Sequence, residues 1–293
     1  MHISFNDYLK EKYNCRVWKI PIDAGFTCPN RDGTLSDKGC IFCSEDGSSS
    51  KLYKTKLSIK EQIIKGIEIK KKSRNAKKFI AYFQSFSNTY APVQKLKQIY
   101  DEVLNFEEII MMAIGTRPDC LNQENIELIA SYSKNLEIWL DLGLQSANNS
   151  SLSFVNRGHS AEDFAKAVLL VKKLAPKVKI CSHIIIGLAQ EKEEDFLFTI
   201  DFLNKLPIDG IKIHNLYILK NTPLENLYKT GEINVLTMYE YIEILKKIFK
   251  VLRKDIIIHR LMAESSSQEE LITPDWTLNK HFFLSELSKA LKN

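Results

Sequence analysis

Six times along this chain a short apolar run gives way to an amphipathic stretch, and no other feature narrows its fold so far. The runs cover residues 17–22, 79–83, 108–114, 137–142, 178–186 and 210–217. Phe79-Ile80-Ala81-Tyr82-Phe83 is apolar throughout, the pattern of a strand covered on both faces. The intervening stretches carry apolar residues at helical spacing: Ile59, Ile63, Ile64 and Ile67, then Val93, Leu96, Ile99, Tyr100 and Val103, and later Phe164, Val168, Val171 and Leu174. Ser58 with Glu61, Ser160 with Asp163 and Thr237 with Glu240 have the spacing of capping boxes that start helices. Strand followed by helix, repeated, implies parallel strands with right-handed crossovers. Six units are fewer than the eight of a closed barrel. The expected class is therefore α/β, a partial (β/α)6 TIM-like barrel open on one side. Residues 1–16 read as a lead-in with a helical turn or two, 17–235 as the barrel, and 236–293 as an extension. That extension carries a helix opened by Thr237, a further strand at 255–260, a polar loop at 264–268 and a last helix, placed over the open edge or mouth.

Between the first strand and its helix lies Cys28-Pro29-Asn30-Arg31-Asp32-Gly33-Thr34-Leu35-Ser36-Asp37-Lys38-Gly39-Cys40-Ile41-Phe42-Cys43, a C-x11-C-x2-C loop. It sits at the carboxyl end of a strand, where α/β barrels place chemistry. A structural zinc site closes four ligands. Three thiolates on an iron–sulfur cluster leave one iron open to substrate or cofactor. Three ligands thus lean towards a cluster with an open iron, ahead of zinc or unrelated thiols. Cys15 precedes the strand, at its opposite end; with Cys120 and Cys181 it reads as a small buried hydrophobe.

This loop resembles that of radical S-adenosylmethionine (SAM) enzymes, in the branch related to the catalytic subunit of Elongator and, within it, the small YhcC/YtqA-type family. The likeness continues in order through the stretches starting at Gly25, Tyr82, Gly115, Leu142, Asn156, Ile186 and Lys212, from about Phe5 to Trp276. Two departures stand out. The first cysteine gap is longer than the commoner C-x3-C-x2-C, and Ala189 stands where a Gly-Leu-Pro turn is often seen. The resemblance implies a radical SAM barrel in which Cys28, Cys40 and Cys43 hold a 4Fe–4S cluster. The open iron would chelate SAM, whose reductive cleavage would give a 5′-deoxyadenosyl radical. An electron donor such as a flavodoxin or ferredoxin is implied with it.

The same resemblance places SAM contacts. Phe42 would pack near the adenine, against a role in ordinary packing. Gln84 and Ser85, after the second strand, would bind the methionine amino group, against capping of the next turn. Arg117 would grip a carboxylate or phosphate, against an ion pair with a neighbouring loop. Gln145 and Ser146, taken to follow the fourth strand, would meet ribose or carboxylate, against bracing a loop. Arg157, in the loop before a helix, is counted with the cofactor contacts; His159 lies in the same loop and His214 on the sixth strand, and a lone histidine is more often structural than catalytic. Tyr217 and Lys220 are candidates to face substrate, and Cys120 to donate a hydrogen atom.

Composition is ordinary for a globular protein, 44% apolar and 26% charged over 293 residues. No apolar run nears the roughly 18 residues of a membrane span, and the first residues lack a signal-peptide layout. A cytoplasmic location with reduced thiols is expected. The net charge of +5 is unevenly spread: from Lys51 to Lys78 eleven cations face Glu61 and Glu68, a local +9. Such a stripe suits RNA or is a solvated helix face. No G-x-G-x-x-G after a strand, P-loop or H-E-x-x-H occurs. The functional expectation is a radical SAM enzyme acting on tRNA. The family resemblance implies the wobble uridine side chain, carboxymethylaminomethyl towards aminomethyl. The alternatives are the same chemistry on a small molecule or protein, and a zinc-stabilised RNA-binding module.

Overall fold

The structure, a computed structural model, describes residues 2–44, 57–188, 191–264 and 269–292. Lys51, Lys54, Lys56, Ala189 and most of the polar loop at 264–268 lie outside the described residues. A first helix, α1 (Phe5–Tyr13), leads into β1 (Val17–Ile22). Then strands and helices alternate: α2 (Ile59–Arg74), β2 (Lys78–Phe83), α3 (Val93–Asp101), β3 (Ile109–Thr116), α4 (Gln123–Ser131) and β4 (Glu137–Gln145). Two helices follow, α5 (Asn149–Phe154) and α6 (Ala161–Leu174), before β5 (Lys179–Ile186), α7 (Glu193–Asn204) and β6 (Gly210–Asn215). The rest comprises β7 (Ile218–Leu219), α8 (Pro223–Lys229), α9 (Met238–Val251), β8 (Ile257–Arg260), β9 (Leu271–Thr273) and α10 (Lys280–Ala290).

Seven strands form one parallel sheet in the order β1-β2-β3-β4-β5-β6-β8, a curled half-barrel. The sequence reading counted six. The seventh comes from the C-terminal stretch, where Gly210 pairs with Ile257 and Ile211 with Ile258, so this stretch extends the barrel wall. β7 and β9 form a separate antiparallel pair.

Helices pack on the outer face of the sheet through one large core that includes Ile20, Phe83, Tyr100, Leu140, Phe164 and Tyr241. The capping boxes at Ser58, Ser160 and Thr237 are all formed. The inward face of α2 differs from the expected one: Gln62, Ile63, Gly66 and Ile67 are buried and Ile64 is 40% exposed. Gln62 turns in because it satisfies the backbone just past β1, donating to the Asp23 carbonyl at 2.8 Å and accepting from the Asp23 amide at 2.9 Å. Gly66 lets α2 close on β1, since a Cβ there would lie 2.4 Å from Ile20 Cγ2.

Alternate strand residues point into the lumen. At the amino-terminal end of the strands α1 plugs it: Phe5 and Leu9 pack with Ile80, Met111, Trp139 and Ile257. The Phe5 ring stacks on His259 at 3.9 Å. The lead-in is thus a stopper for one mouth of the barrel, and the other mouth is left for the cysteine loop.

Candidate metal centre and reaction cavity

The cysteine loop is held in shape mostly by its own backbone. Amides of Arg31 and Leu35 donate to the carbonyls of Cys28 and Pro29 at 2.8 and 2.7 Å, and Gly39 N–H to Asn30 at 2.7 Å. The Cys43 amide reaches back to the Cys40 carbonyl at 3.0 Å, closing the C-x2-C turn. Gly33 and Gly39 have φ of +87° and +72°, a backbone region that glycine enters without a Cβ clash. Arg31 Nη2 donates to the carbonyls of Cys43 and Ser44 at 2.9 and 2.8 Å.

A second segment clamps this loop from the far side of the barrel. Asn156 Nδ2 donates to the Gly39 carbonyl at 2.7 Å and the Asn156 carbonyl accepts from Asn30 Nδ2. Gly158, at φ +76°, passes so close that a Cβ would stand 3.0 Å from Asn30 Oδ1. The Asn156-Arg157-Gly158 stretch is therefore the anvil on which the cysteine loop rests.

The three thiols face one cavity of about 280 Å³ at the carboxyl ends of the strands. They are close enough to act on one another: burial, then Cys40, and more weakly Cys28, push the Cys43 thiol up to about 11, against the pull of Arg31. Two N–H groups point at one sulfur, Asn30 Nδ2 at 3.5 Å and Arg157 Nη1 at 3.6 Å from Cys40 Sγ. Such donors favour the thiolate and tune a cluster bound to it. The donor set therefore fits a 4Fe–4S group.

Of the other expected residues, Phe42, Gln84, Arg117, Gln145 and Arg157 line the cavity, as do His214 and Tyr217. Phe42 also packs on the cluster of Val155, Ile185 and Leu216, so its two readings coexist. Gln145 closes β4 rather than following it, and holds φ +77°, strained for a side chain of this size. Its Oε1 is buried without a partner among the described residues, as are Asn30 Oδ1, Arg117 Nη1 and Arg157 Nε. Of these residues Gln145, Arg117 and Arg157 line the cavity, and their unsatisfied groups are what a bound polar ligand would satisfy.

Arg117 is engaged as well as exposed to the cavity. Its Nε and Nη2 form a fork on Asp119 at 2.9 and 2.8 Å, and Nη2 also donates to the Arg157 carbonyl at 2.8 Å. The fork ties two loop segments together and leaves Nη1 as its one unsatisfied nitrogen.

Ser85 and Ser146 are buried and are not part of the lining. The Ser85 carbonyl accepts from Asn88 Nδ2 at 3.1 Å. Ser146 donates its hydroxyl to Glu191 and accepts from the Asn148 amide at 3.0 Å, the loop-bracing role. His159 is likewise structural: Nδ1 donates to the Ser160 carbonyl at 3.1 Å, and burial beside Arg157 keeps the ring neutral. Lys220 and Cys120 do not reach the cavity, and Cys120 and Cys181 are buried while Cys15 is only half-buried.

The sequence reading missed the deeper wall. Tyr82, Asp141, His183, Lys212 and Arg260 line the cavity below the cysteine loop. Asp141 on β4 and Lys212 on β6 form a buried ion pair, with side chains 6% and 5% exposed. Burial opposes the Asp141 charge, but Lys212 and Lys19 hold its carboxyl below the usual range. His183 and His214 meet edge to face at 4.0 Å. Their one early signal was polarity at lumen-facing positions of otherwise apolar strands.

The lysine-rich run forms the exposed face of α2. Lys70 Nζ and Arg74 Cζ lie 5.7 and 5.0 Å from the centre of the Trp18 ring, and Lys71 pairs with Glu108 at 2.8 Å. Because α2 returns antiparallel to β1, its basic end comes beside Arg16, at the plugged end of the barrel.

Comparison with known proteins agrees with this architecture. The radical SAM superfamily model matches residues 28–203 and the Radical_SAM C-terminal domain model residues 208–293. The chain is 32% identical over 293 residues to the uncharacterized protein YtqA of Bacillus subtilis, covering 99% of this chain and 89% of the relative. To protein YhcC of Escherichia coli K12 it is 31% identical over 288 residues, covering 98% and 91%. A shorter stretch of 165 residues is 28% identical to the tRNA-2-methylthio-N(6)-dimethylallyladenosine synthase of Fusobacterium nucleatum, 55% of this chain and 38% of the relative. Among solved structures, the archaeal Methanocaldococcus infernus Elp3 with an N-terminal deletion superposes with a TM-score of 0.68 at 17% identity, over 94% of this chain and 63% of that one.

Proposed function

From the fact that this chain belongs to the radical SAM superfamily, we propose that it is an enzyme that uses a 4Fe–4S cluster and SAM to modify tRNA. The observation that carries the radical chemistry is the convergence of Cys28, Cys40 and Cys43 on one cavity, with two N–H donors aimed at Cys40 Sγ. A bound cluster and SAM supply one-electron cleavage of the sulfonium and abstraction of a hydrogen atom from substrate. The protein's own part is to hold and orient. Cys28, Cys40 and Cys43 are the cluster ligands. Asn30 and Arg157 donate to Cys40 and fix its sulfur. Gln84, Gln145 and Phe42 line the space where SAM would lie, and Arg117 offers its free Nη1 to an anionic group there. The plug of Phe5, Leu9 and Trp139 keeps water from the far end of the lumen.

The tRNA substrate rests on the alignment with a tRNA-modifying synthase and on the basic face of α2. The site of action proposed is the wobble uridine, where a carboxymethylaminomethyl side chain would be converted towards aminomethyl. Action on a small molecule is a second reading, favoured by one observation: the densest part of the lysine run, residues 70–74, lies at the barrel end away from the cavity.

Anaerobic reconstitution tests the first step, with iron analysis and release of 5′-deoxyadenosine as the readouts. Nucleoside mass spectrometry of tRNA from a deletion strain tests the second. Accumulation of the carboxymethylaminomethyl nucleoside is expected, and an unchanged wobble nucleoside would discard the tRNA reading.

A further inference from the structure

Five cations line the cavity, and four of them are engaged. Arg31 donates to the Cys43 and Ser44 carbonyls, Arg117 to Asp119, Arg157 to the Gly143 carbonyl at 3.0 Å, and Lys212 to Asp141. The fifth is Arg260, whose guanidinium makes no hydrogen bond or ion pair among the described residues. The lining has two carboxylates, and both are taken: Asp141 by Lys212 and Glu264 by Lys280 at 2.5 Å.

Arg260 reaches the lumen through a break in strand register. Ile211 pairs with Ile258, but the next residue of β6, Lys212, pairs with Arg260, so His259 is an extra residue in β8. Simple alternation after Ile257 and His259 would turn Arg260 away from the lumen. The bulge brings it back beside Lys212, the re-aiming that bulges perform next to active sites. Its charge is felt across the lumen, where it acts on Lys19, Tyr82, His183, Lys212 and His214. Burial and the nearby Lys212 pull the Lys19 ammonium down to about 7, and the same influences hold His183 neutral. The lumen is therefore short of negative charge.

A metal ion is a poor candidate to fill this space. Asp141, Cys181 and His259 do offer donor atoms within 4.8 Å of one another. But Lys212 already holds Asp141, and the charges of Lys19 and Lys212 bear on both Asp141 and His259. An added cation would be repelled, and an anion attracted.

We propose that Arg260, supported by Lys212, is a substrate-specificity residue that binds a carboxylate on the substrate below the cysteine loop. This rests on the reading of the cavity as the reaction chamber. A guanidinium fork matches a planar carboxylate in two parallel hydrogen bonds. The neutral His183 and His214, whose Nε2 atoms are buried without partners, supply further polar contacts to the same group. A carboxymethyl arm such as that of the proposed nucleoside carries this anion.

The test uses anaerobically reconstituted protein without reductant, probed by saturation-transfer NMR with acetate, acetamide and inorganic phosphate. Acetate is expected to bind and acetamide not to. Arg260→Gln should weaken acetate binding at least tenfold, while Arg260→Lys restores part of it. Iron content and SAM binding should be unchanged in both. Equal binding of acetate and acetamide, tighter binding of phosphate than of acetate, or full acetate binding by Arg260→Gln would each overturn the assignment. So would loss of SAM binding in Arg260→Gln, which would give this charge to the cofactor. Acetate binding that persists while tRNA is left unmodified sinks the tRNA reading alone and upholds the carboxylate site.

Discussion

Arg157 Nη1 stands 3.6 Å from Cys40 Sγ while Nη2 of the same guanidinium donates to the Gly143 carbonyl at 3.0 Å. One side chain from the loop after α5 thus ties a thiol of the cysteine loop to the end of β4, across the mouth of the barrel. The cysteine loop is held by the barrel's far wall as well as by its own backbone.

Removing two of the thiols tests the centre directly. Cys40→Ala with Cys43→Ala should lower iron from about three or four atoms per chain to below one and reduce 5′-deoxyadenosine release to background. Far-ultraviolet circular dichroism should be unchanged, because the loop's shape comes from backbone bonds such as Leu35 to Pro29. Retention of iron in the double variant would refute the assignment of the ligands.

Gly143→Ala should separate the cluster from the SAM space. The added Cβ would lie 2.6 Å from Arg157 Nη2 and 2.8 Å from Gln145 Nε2, both ends of flexible side chains. Those ends must move, so the fold should lose less than about 1 kcal/mol. Iron content is expected to persist and SAM affinity to fall roughly tenfold, about 1.4 kcal/mol. Equilibrium dialysis with labelled SAM checks this, and undiminished affinity would show that Gln145 and Arg157 do not shape that space.

At the plugged end of the barrel Glu137 accepts from Tyr8 at 2.6 Å, Tyr13 at 2.7 Å and Trp139 Nε1 at 2.6 Å, and pairs with Lys12. Burial alone would raise its carboxyl, but these donors outweigh it and bring the carboxyl from 4.5 down to about 2. A depressed acid stabilises the fold above its unfolded value, and the contribution fades as pH falls through the folded one. Glu137→Gln should therefore cost up to about 3 kcal/mol at pH 6, with the gap to the parent closing as pH falls from about 4.5 towards 2. Urea unfolding across that range measures it; a gap independent of pH would assign the effect to packing.

The basic face of α2 makes its own prediction for nucleic acid. If Lys70 and Lys72 contact phosphates, replacing both with Glu should weaken tRNA binding severalfold and lower the salt slope by about one per lost contact. Filter binding at two salt concentrations reads both quantities. An unaltered slope would make the run a solvated face, held in place by Trp18 and Glu108.

The features legible in the amino-acid order alone are local ones. Apolar runs at strand length, helical spacing in Ile63 and Ile67, and capping boxes at Ser58 and Ser160 depend on near neighbours, so six barrel strands could be read in order and the seventh as a strand, though not as part of the barrel wall. The C-x2-C turn carried its meaning in the same way. Tertiary structure decided whatever depended on partners far apart in the chain. Ser146 turns to Glu191 rather than to the cavity because a carboxylate 45 residues away is there to accept its hydrogen bond. The polar lumen draws Tyr82, Asp141, His183 and Lys212 from four different strands, where each is a polar residue with no local meaning. Arg260 is the sharpest case, since strand parity alone would turn it outward. Only the extra residue in β8, visible once β8 lies against β6, aims its charge into the barrel.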